Sequence, residues 1–272
     1  MDSRVLGVDF SGAGDAGRSI WLTEARHTPD GLVVDDCYRA ADEWGVDREP
    51  AHTGLRERAT DFAVVGLDFP FSLPQALLAD HCGGRWDGFV AWLAGDGPDD
   101  PDAFASTCRS SARGHTGDGT AALRRETDLR RAALCPYDAR VQYQTFYGVR
   151  DVLGAFVDDP DVTVAPMQER GGRSGPDAAD TTDATRVVEV YPAATFGWLG
   201  LYREGYKGDR RDRRATNVDG IETCSVDLNG FREEYETTHD ALDSLAAAVS
   251  AARSTTGDPP RHGPRQEGHI YV

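Results

Sequence analysis

Lysine is almost missing from this sequence: of 29 basic residues only Lys207 is lysine, while Asp and Glu number 46 and the formal net charge is −17. A charge of that sign works against non-specific binding to nucleic acid at ordinary salt, so a polyanionic partner must be held by a local basic patch. No run of 18 apolar residues is present, which excludes an ordinary transmembrane helix. The chain opens on a charged, strand-like run where a signal peptide would be apolar, so a soluble, cytoplasmic protein without a membrane partner is expected. Nor is there a CxxC pair. The five cysteines (Cys37, Cys82, Cys108, Cys135, Cys224) are odd in number and scattered, which argues for reduced thiols and against structural zinc. No internal repeat is evident.

Acid-rich, lysine-poor composition resembles that of cytosolic proteins adapted to concentrated KCl, and a GC-rich genome would equally favour Arg over Lys. With 272 residues the chain forms one large domain or a core with insertions. "RVLGVDF" (4–10), "RSIWLTEA" (18–25) and "GLVVDDCYRA" (31–40) read as three strands joined by short Gly, Asp and Pro turns, an antiparallel meander. A helical stretch near 50–61 follows. "FAVVGLDFP" (62–70) is a continuous apolar run expected of a central strand covered on both faces. Residues 71–160 turn helical and irregular, an insertion packed over the core, and 170–185 read as a loop. "RVVEVYPAA" (186–194) gives another strand, and the tail from Ser254 to Gly268 reads as loop before "HIYV".

Residues 238–253, "THDALDSLAAAVSAAR", form an apolar helix with Thr238 available as N-cap. Asp240 and Asp243, spaced i, i+3, share one face of its first turn. Two acids so close either complement the helix dipole or hold a cation. The decision rests on whether other segments send acids to the same place.

They do if the element order is followed. Three antiparallel strands, a helix, a strand, an inserted helical region, a strand and a final helix is the ribonuclease-H-like order. The expected fold is α/β: a mixed five-stranded sheet flanked by helices, with core about 1–70 and 186–254 and the helical insertion between strands 4 and 5. Its first and fourth strands lie side by side, which brings Asp9 and Asp68 together at their C-terminal ends, the edge where α/β sheets favour ligands. A final helix packed across that edge adds Asp240 and Asp243. Such a nest of acids suits two hard cations, Mg²⁺ or Mn²⁺, bridged by carboxylates for in-line phosphoryl chemistry. Glu189 is a further ligand or water-orienting residue, or else a strand-end carboxylate turned to solvent.

Together "GVDFSGA", "GLDFP", "VVEVYPAA" and "HDALDSLAAA" resemble the family catalogued as domain of unknown function 429, predicted ribonuclease-H-like nucleases. The DxxD pair opening an alanine-rich final helix is also similar to that of RuvC-type Holliday-junction resolvases. The resemblance implies that Asp9 bridges the metals, that Asp68 and Asp243 are ligands, and that Asp240 is a fourth ligand or supporting acid. In "DFSG", Ser11 and Gly12 would let a phosphate approach the backbone. No acid of the 50–61 helix is aimed at the site; Glu57 is the nearest and is expected to face water.

Basic candidates are few. "YREGYKGDRRDRR" (202–214) carries the clearest local positive excess, with Lys207 as a phosphate contact or part of a salt-bridged loop. Arg130 and Arg131 are phosphate-contact candidates, although an i, i+4 pair between Glu126 and Arg130 explains that segment equally well. "VQYQTFYG" (141–148) either lines a base-stacking surface or packs the insertion on the core. His239 is a proton shuttle or a helix-end neighbour. The expected function is a metal-dependent nuclease acting on nucleic acid or a phosphorylated nucleotide. The alternatives are an actin-like or sugar-kinase-like phosphotransferase, for which no second phosphate loop is found, and a non-catalytic nucleic-acid-binding protein of the same fold. Oligomeric state is not legible.

Overall fold

The computed structural model describes residues 2–169, 184–256 and 263–272, so most of the 170–185 loop reading lies outside the described residues. Strands β1 (Ser3–Asp9), β2 (Trp21–Thr28) and β3 (Gly31–Arg39) form the antiparallel meander. Helices α1 (Ala40–Trp44) and α2 (Arg48–Ala59) lead to β4 (Val64–Asp68). The helical region comprises α3 (Gln75–His81), α4 (Trp86–Ala94), α5 (Pro101–His115), α6 (Glu126–Arg131), α7 (Gln142–Tyr147), a π-helical turn (Gly148–Leu153) and α8 (Gly154–Phe156). Then come β5 (Val162–Ala165), β6 (Thr185–Val190), α9 (Pro192–Trp198), α10 (Arg211–Glu222), β7 (Val226–Asp227), α11 (Arg232–Thr237), α12 (His239–Arg253) and β8 (Ile270–Tyr271).

The result is a mixed α/β fold with one mixed sheet flanked by helices. Its strand order is β5-β6-β4-β1-β2-β3-β7, with β8 also paired to β6. The expected five strands are therefore corrected to eight among the described residues. The three additions are short: β5 closes the helical region, β7 borders the meander, and β8 (Ile270–Tyr271) is the "HIYV" segment that follows the loop-like tail. Such two- to four-residue strands leave too little periodicity to be recognised. The second strand begins at Trp21 because Ala16–Arg18 turn as a 3₁₀ helix, and β6 stops at Val190 because Pro192 opens α9.

Alternation along the strands separates two cores. Leu6, Val8, Val65, Leu67 and Val187 join Phe89, Phe104 and Phe146 of the helical region in one cluster. Val5, Val64, Val188 and Val190 join Leu242, Leu245 and Ala248 of α12 in the other. The central strands are buried on both sides, as their unbroken apolar runs predict. On the α12 side the approach is unusually close: a Cβ at Gly7 would collide with the backbone of Ser244 and Ala248, and one at Gly66 would meet Ala247 O at 2.7 Å. Glycines on the sheet and alanines on the helix let the two backbones meet. The polar groups this buries are paired, Thr23 with Ser244 and Thr195 with Ser250, each at 2.7 Å.

Candidate functional site

β1 and β4 are parallel and in register, with Asp9 opposite Asp68. Both acids follow two residues after the glycines that touch α12, so both lie on its face of the sheet. The same packing brings in Asp243, just past the first turn of α12 and 1 % exposed. Asp9 and Asp68 lie side by side at the strand ends, and burial and mutual repulsion act on them together with Asp243.

Burial first, then the charges of Asp243, Asp68 and Asp240, push the Asp9 carboxyl well above its ordinary range. Asp68 is pushed up by burial and by Asp243, with Lys207 opposing. Asp243 is also raised by burial, although its two oxygens have partners: Tyr206 Oη donates to Oδ1 at 2.8 Å and Lys207 Nζ sits 2.8 Å from Oδ2. Burial would lower the Lys207 ammonium, but Asp243, Asp9 and Asp68 more than offset it and hold the lysine firmly protonated. Asp9 is 9 % exposed, lines a cavity, and among the described residues its side chain receives no hydrogen bond or ion pair. Among the described residues, one ammonium faces three carboxyl groups that repel one another.

Asp240 stands at the rim, with His239 Nε2 3.1 Å from its Oδ1, and both are half-buried. Thr238 occupies the N-cap position of α12 without a side-chain capping bond. The loop carrying Tyr206 and Lys207 is held by Arg214, 4 % exposed, whose guanidinium donates to the carbonyls of Tyr206 (2.8 Å), Gly208 (2.7 Å), Glu236 (2.8 Å) and Thr237 (3.2 Å). One buried side chain thus ties the lysine loop to the residues leading into α12.

Glu189 is placed differently. It pairs in register with Leu67, not with Asp68, so it projects from the insertion face of the sheet. There Arg125 donates to its two oxygens at 2.5 and 2.7 Å, and Phe71 N at 3.0 Å. Arg125 also binds Asp128 at 2.6 Å and Glu267 O at 3.2 Å. Burial would lower the Arg125 guanidinium, yet Asp128 and Glu189 keep it above its ordinary value; Glu189 is itself raised by burial against the pull of Arg125. The carboxylate is buried, not turned to solvent.

The remaining candidates divide as follows. At "DFSG" the close neighbour of Gly12 is the Tyr143 backbone, and Ser11 offers its carbonyl to His52 Nε2 at 2.9 Å and its hydroxyl to Ala13 N at 3.3 Å. Arg130 is exposed and paired to Glu126 at 3.0 Å, the i, i+4 alternative. Arg131 is partly buried, and burial lowers its guanidinium. Glu57 faces water. In 141–148, Gln142, Thr145 and Phe146 are buried against the core, Tyr143 is exposed, and Arg48 lies 3.5 Å over the Tyr147 ring.

Two cavities meet at the acids. One, of about 290 Å³, is lined by Asp9, Asp68, Arg140, Tyr191 and Lys207 and reaches past the strand ends to Arg125, Asp128 and Glu189. The other, of about 340 Å³, is lined by Asp68, Tyr191, Arg203, Lys207 and Asp243. Asp68, Tyr191 and Lys207 stand between them. Sequence reasoning missed Arg125, Arg214, Tyr206 and Tyr191. Nothing local distinguishes Arg125 and Arg214 from the arginines beside them, because their roles come from contacts distant in sequence.

Among the described residues, no group of three or more His, Cys, Asp and Glu side chains is disposed to hold a metal ion as it stands. The donor chemistry nevertheless fits a hard divalent cation: converging carboxyl oxygens, buried at Asp9 and Asp243 and half-buried at Asp68, with the Asp9 side chain unpartnered. None of the five cysteines is paired, and among the described residues no helix is long and apolar enough to cross a membrane.

Comparison with known proteins gives one match. The family described as "Protein of unknown function (DUF429)" matches residues 167–267, a span that includes Glu189, Lys207, Asp240 and Asp243 but not Asp9 or Asp68. No curated protein and no solved structure matches.

Proposed function

We propose, for a chain whose residues 167–267 match a family of unknown function, a divalent-metal-dependent phosphodiester hydrolase of ribonuclease-H-like fold. The substrate is nucleic acid or a phosphorylated nucleotide. The observation that carries the reading is the convergence of Asp9, Asp68 and Asp243 at one sheet edge, where among the described residues the side chain of Asp9 is unpartnered and Lys207 is the cation paired to the cluster. The run β3-β2-β1-β4-β6 within the sheet supports the fold assignment, and α12 laid across β1 and β4 supports the resolvase-like supply of the third acid.

Asp9, Asp68 and Asp243 would hold Mg²⁺ or Mn²⁺, with Asp240 at the rim. When bound, such ions polarise a phosphoryl oxygen and lower the pKa of a bound water. Within the chain, Tyr206 fixes one oxygen of Asp243 by its hydroxyl. Arg125 and Glu189 brace the end of β6 from the opposite face. Lys207, and Arg140 together with its ion-pair partner Asp138, stand at the cavity where a phosphate would enter. The two cavities accept the groups on either side of a scissile phosphate, and their modest size suits single nucleotide units better than a broad duplex face. That choice agrees with a net charge of −17, which opposes extensive phosphate contacts.

The test is cleavage of labelled single-stranded, duplex, hybrid and four-way-junction substrates, and of short oligonucleotides, in high KCl with Mn²⁺ or Mg²⁺. Metal-dependent cleavage that disappears in EDTA and in Asp9→Asn is the expected result. Bound metal with no cleavage of any of these would sink the hydrolase reading.

A further inference from the structure

Lys207 is the one lysine in a chain that uses arginine at its 28 other basic positions. A composition so biased would be expected to supply arginine here too. A guanidinium closes on a carboxylate with a rigid two-pronged fork, whereas an ammonium is a point charge on a flexible stem. The surroundings separate backbone from side chain in the same sense. Arg214 pins the carbonyls of Tyr206 and Gly208 on both sides of Lys207, so the main chain is fixed. The lysine side chain, by contrast, is 56 % exposed even with its Nζ seated on buried Asp243, so it can swing outward without opening the fold. Beside it Asp9, 9 % exposed, faces the cavity without a partner.

We propose that Lys207 is the resident counter-cation of the acid cluster, seated on Asp243 in the metal-free protein and expelled by an incoming divalent cation. This rests on the metal-site reading above. Expulsion leaves the ammonium where the two cavities meet, available to a substrate phosphate. Lysine and metal then compete for Asp243, and removing the lysine charge must tighten metal binding by the same factor that the metal weakens the lysine contact.

Two measurements on the full chain decide this. Mn²⁺ affinity, read from the free-ion signal by electron paramagnetic resonance, is expected to order as Lys207→Gln tightest, the unaltered protein next and Lys207→Arg weakest. The first step should be roughly 5- to 150-fold. Because Lys207 is the sole lysine, its reaction with an amine-directed reagent can be followed by peptide mass spectrometry in the unaltered protein. Mg²⁺ should accelerate it. Equal Mn²⁺ affinities across the three proteins, or bound Mg²⁺ that leaves the labelling rate unchanged, would overturn the proposal while leaving the metal site standing. If no form binds Mn²⁺, the metal reading itself falls and takes this inference with it. Should Lys207→Gln fail to fold, labelling of the unaltered protein still decides.

Discussion

Two buried charge clusters stand at the same end of the sheet, on opposite faces. On the insertion face Arg125 meets Asp128 and Glu189, and Phe71 N and Glu267 O supply the remaining bonds. On the helix face Asp9, Asp68 and Asp243 share one ammonium. The first set has its hydrogen bonds filled; the second lacks cation. A satisfied buried network holds structure together, whereas an unsatisfied one stores repulsion that a ligand can relieve. The difference follows from register, since Glu189 lies one step out of phase with Asp68.

The sharpest way to break the comparison is to neutralise one member of each cluster. Asp9→Asn should lower metal-dependent turnover by roughly 10³-fold, equivalent to several kcal/mol of barrier. The same variant should leave the melting temperature in EDTA unchanged or higher, because one repelling charge is gone; calorimetry beside the cleavage assay checks both. Arg125→Met should do the reverse to stability, stranding two buried carboxylates at a cost of about 3–5 kcal/mol in denaturant titration. If Asp9→Asn destabilised as much as Arg125→Met, the two clusters would be of one kind.

Gly7→Ala probes the spacing between sheet and helix. The added methyl collides with the α12 backbone, so a loss of roughly 1–3 kcal/mol is expected, with metal affinity reduced because Asp243 moves with the helix. pH sharpens the contrast more gently. Asp9, Asp68 and Asp243 sit above the ordinary carboxyl value of 3.8, so the folded chain binds more protons than the unfolded one over that interval. Their contribution to stability therefore falls as pH rises through it. In EDTA, the melting temperature of the unaltered protein should gain relative to Asp9→Asn as pH is lowered from about 8 to about 5. Smallest of all, Arg130→Ala should change stability by no more than about 0.5 kcal/mol and leave turnover unaltered, since its partner Glu126 is an exposed i, i+4 neighbour.

Much of this architecture is legible in the sequence for physical reasons. The apolar runs around Val5–Val8 and Val64–Leu67 give the central strands, each ending in Asp after a glycine two residues earlier. The alanine-rich run after Asp243 gives the helix that packs on those glycines. Glu189 was within reach of the same reading, because strand alternation opposes it to Leu67. What stays hidden is whatever depends on distant partners: Arg125 reaching Glu189, Arg214 gathering four carbonyls, Glu267 accepting from Gln75 N at 2.7 Å and Glu126 N at 3.1 Å. No local pattern marks them, since each is one arginine or glutamate among many.

The bare glycines of β1 and β4 carry a consequence for descent. They act as a gauge: the gap between Asp9 and Asp243 is set by side chains that are missing at Gly7 and Gly66, each two residues before an acid of the cluster. A lineage can then exchange surface arginines freely, but it can enlarge Gly7 only if α12 withdraws in the same evolutionary step. Such positions should drift as a group or not at all, and their joint history would record the width of the acid cluster even in descendants whose substrates had changed.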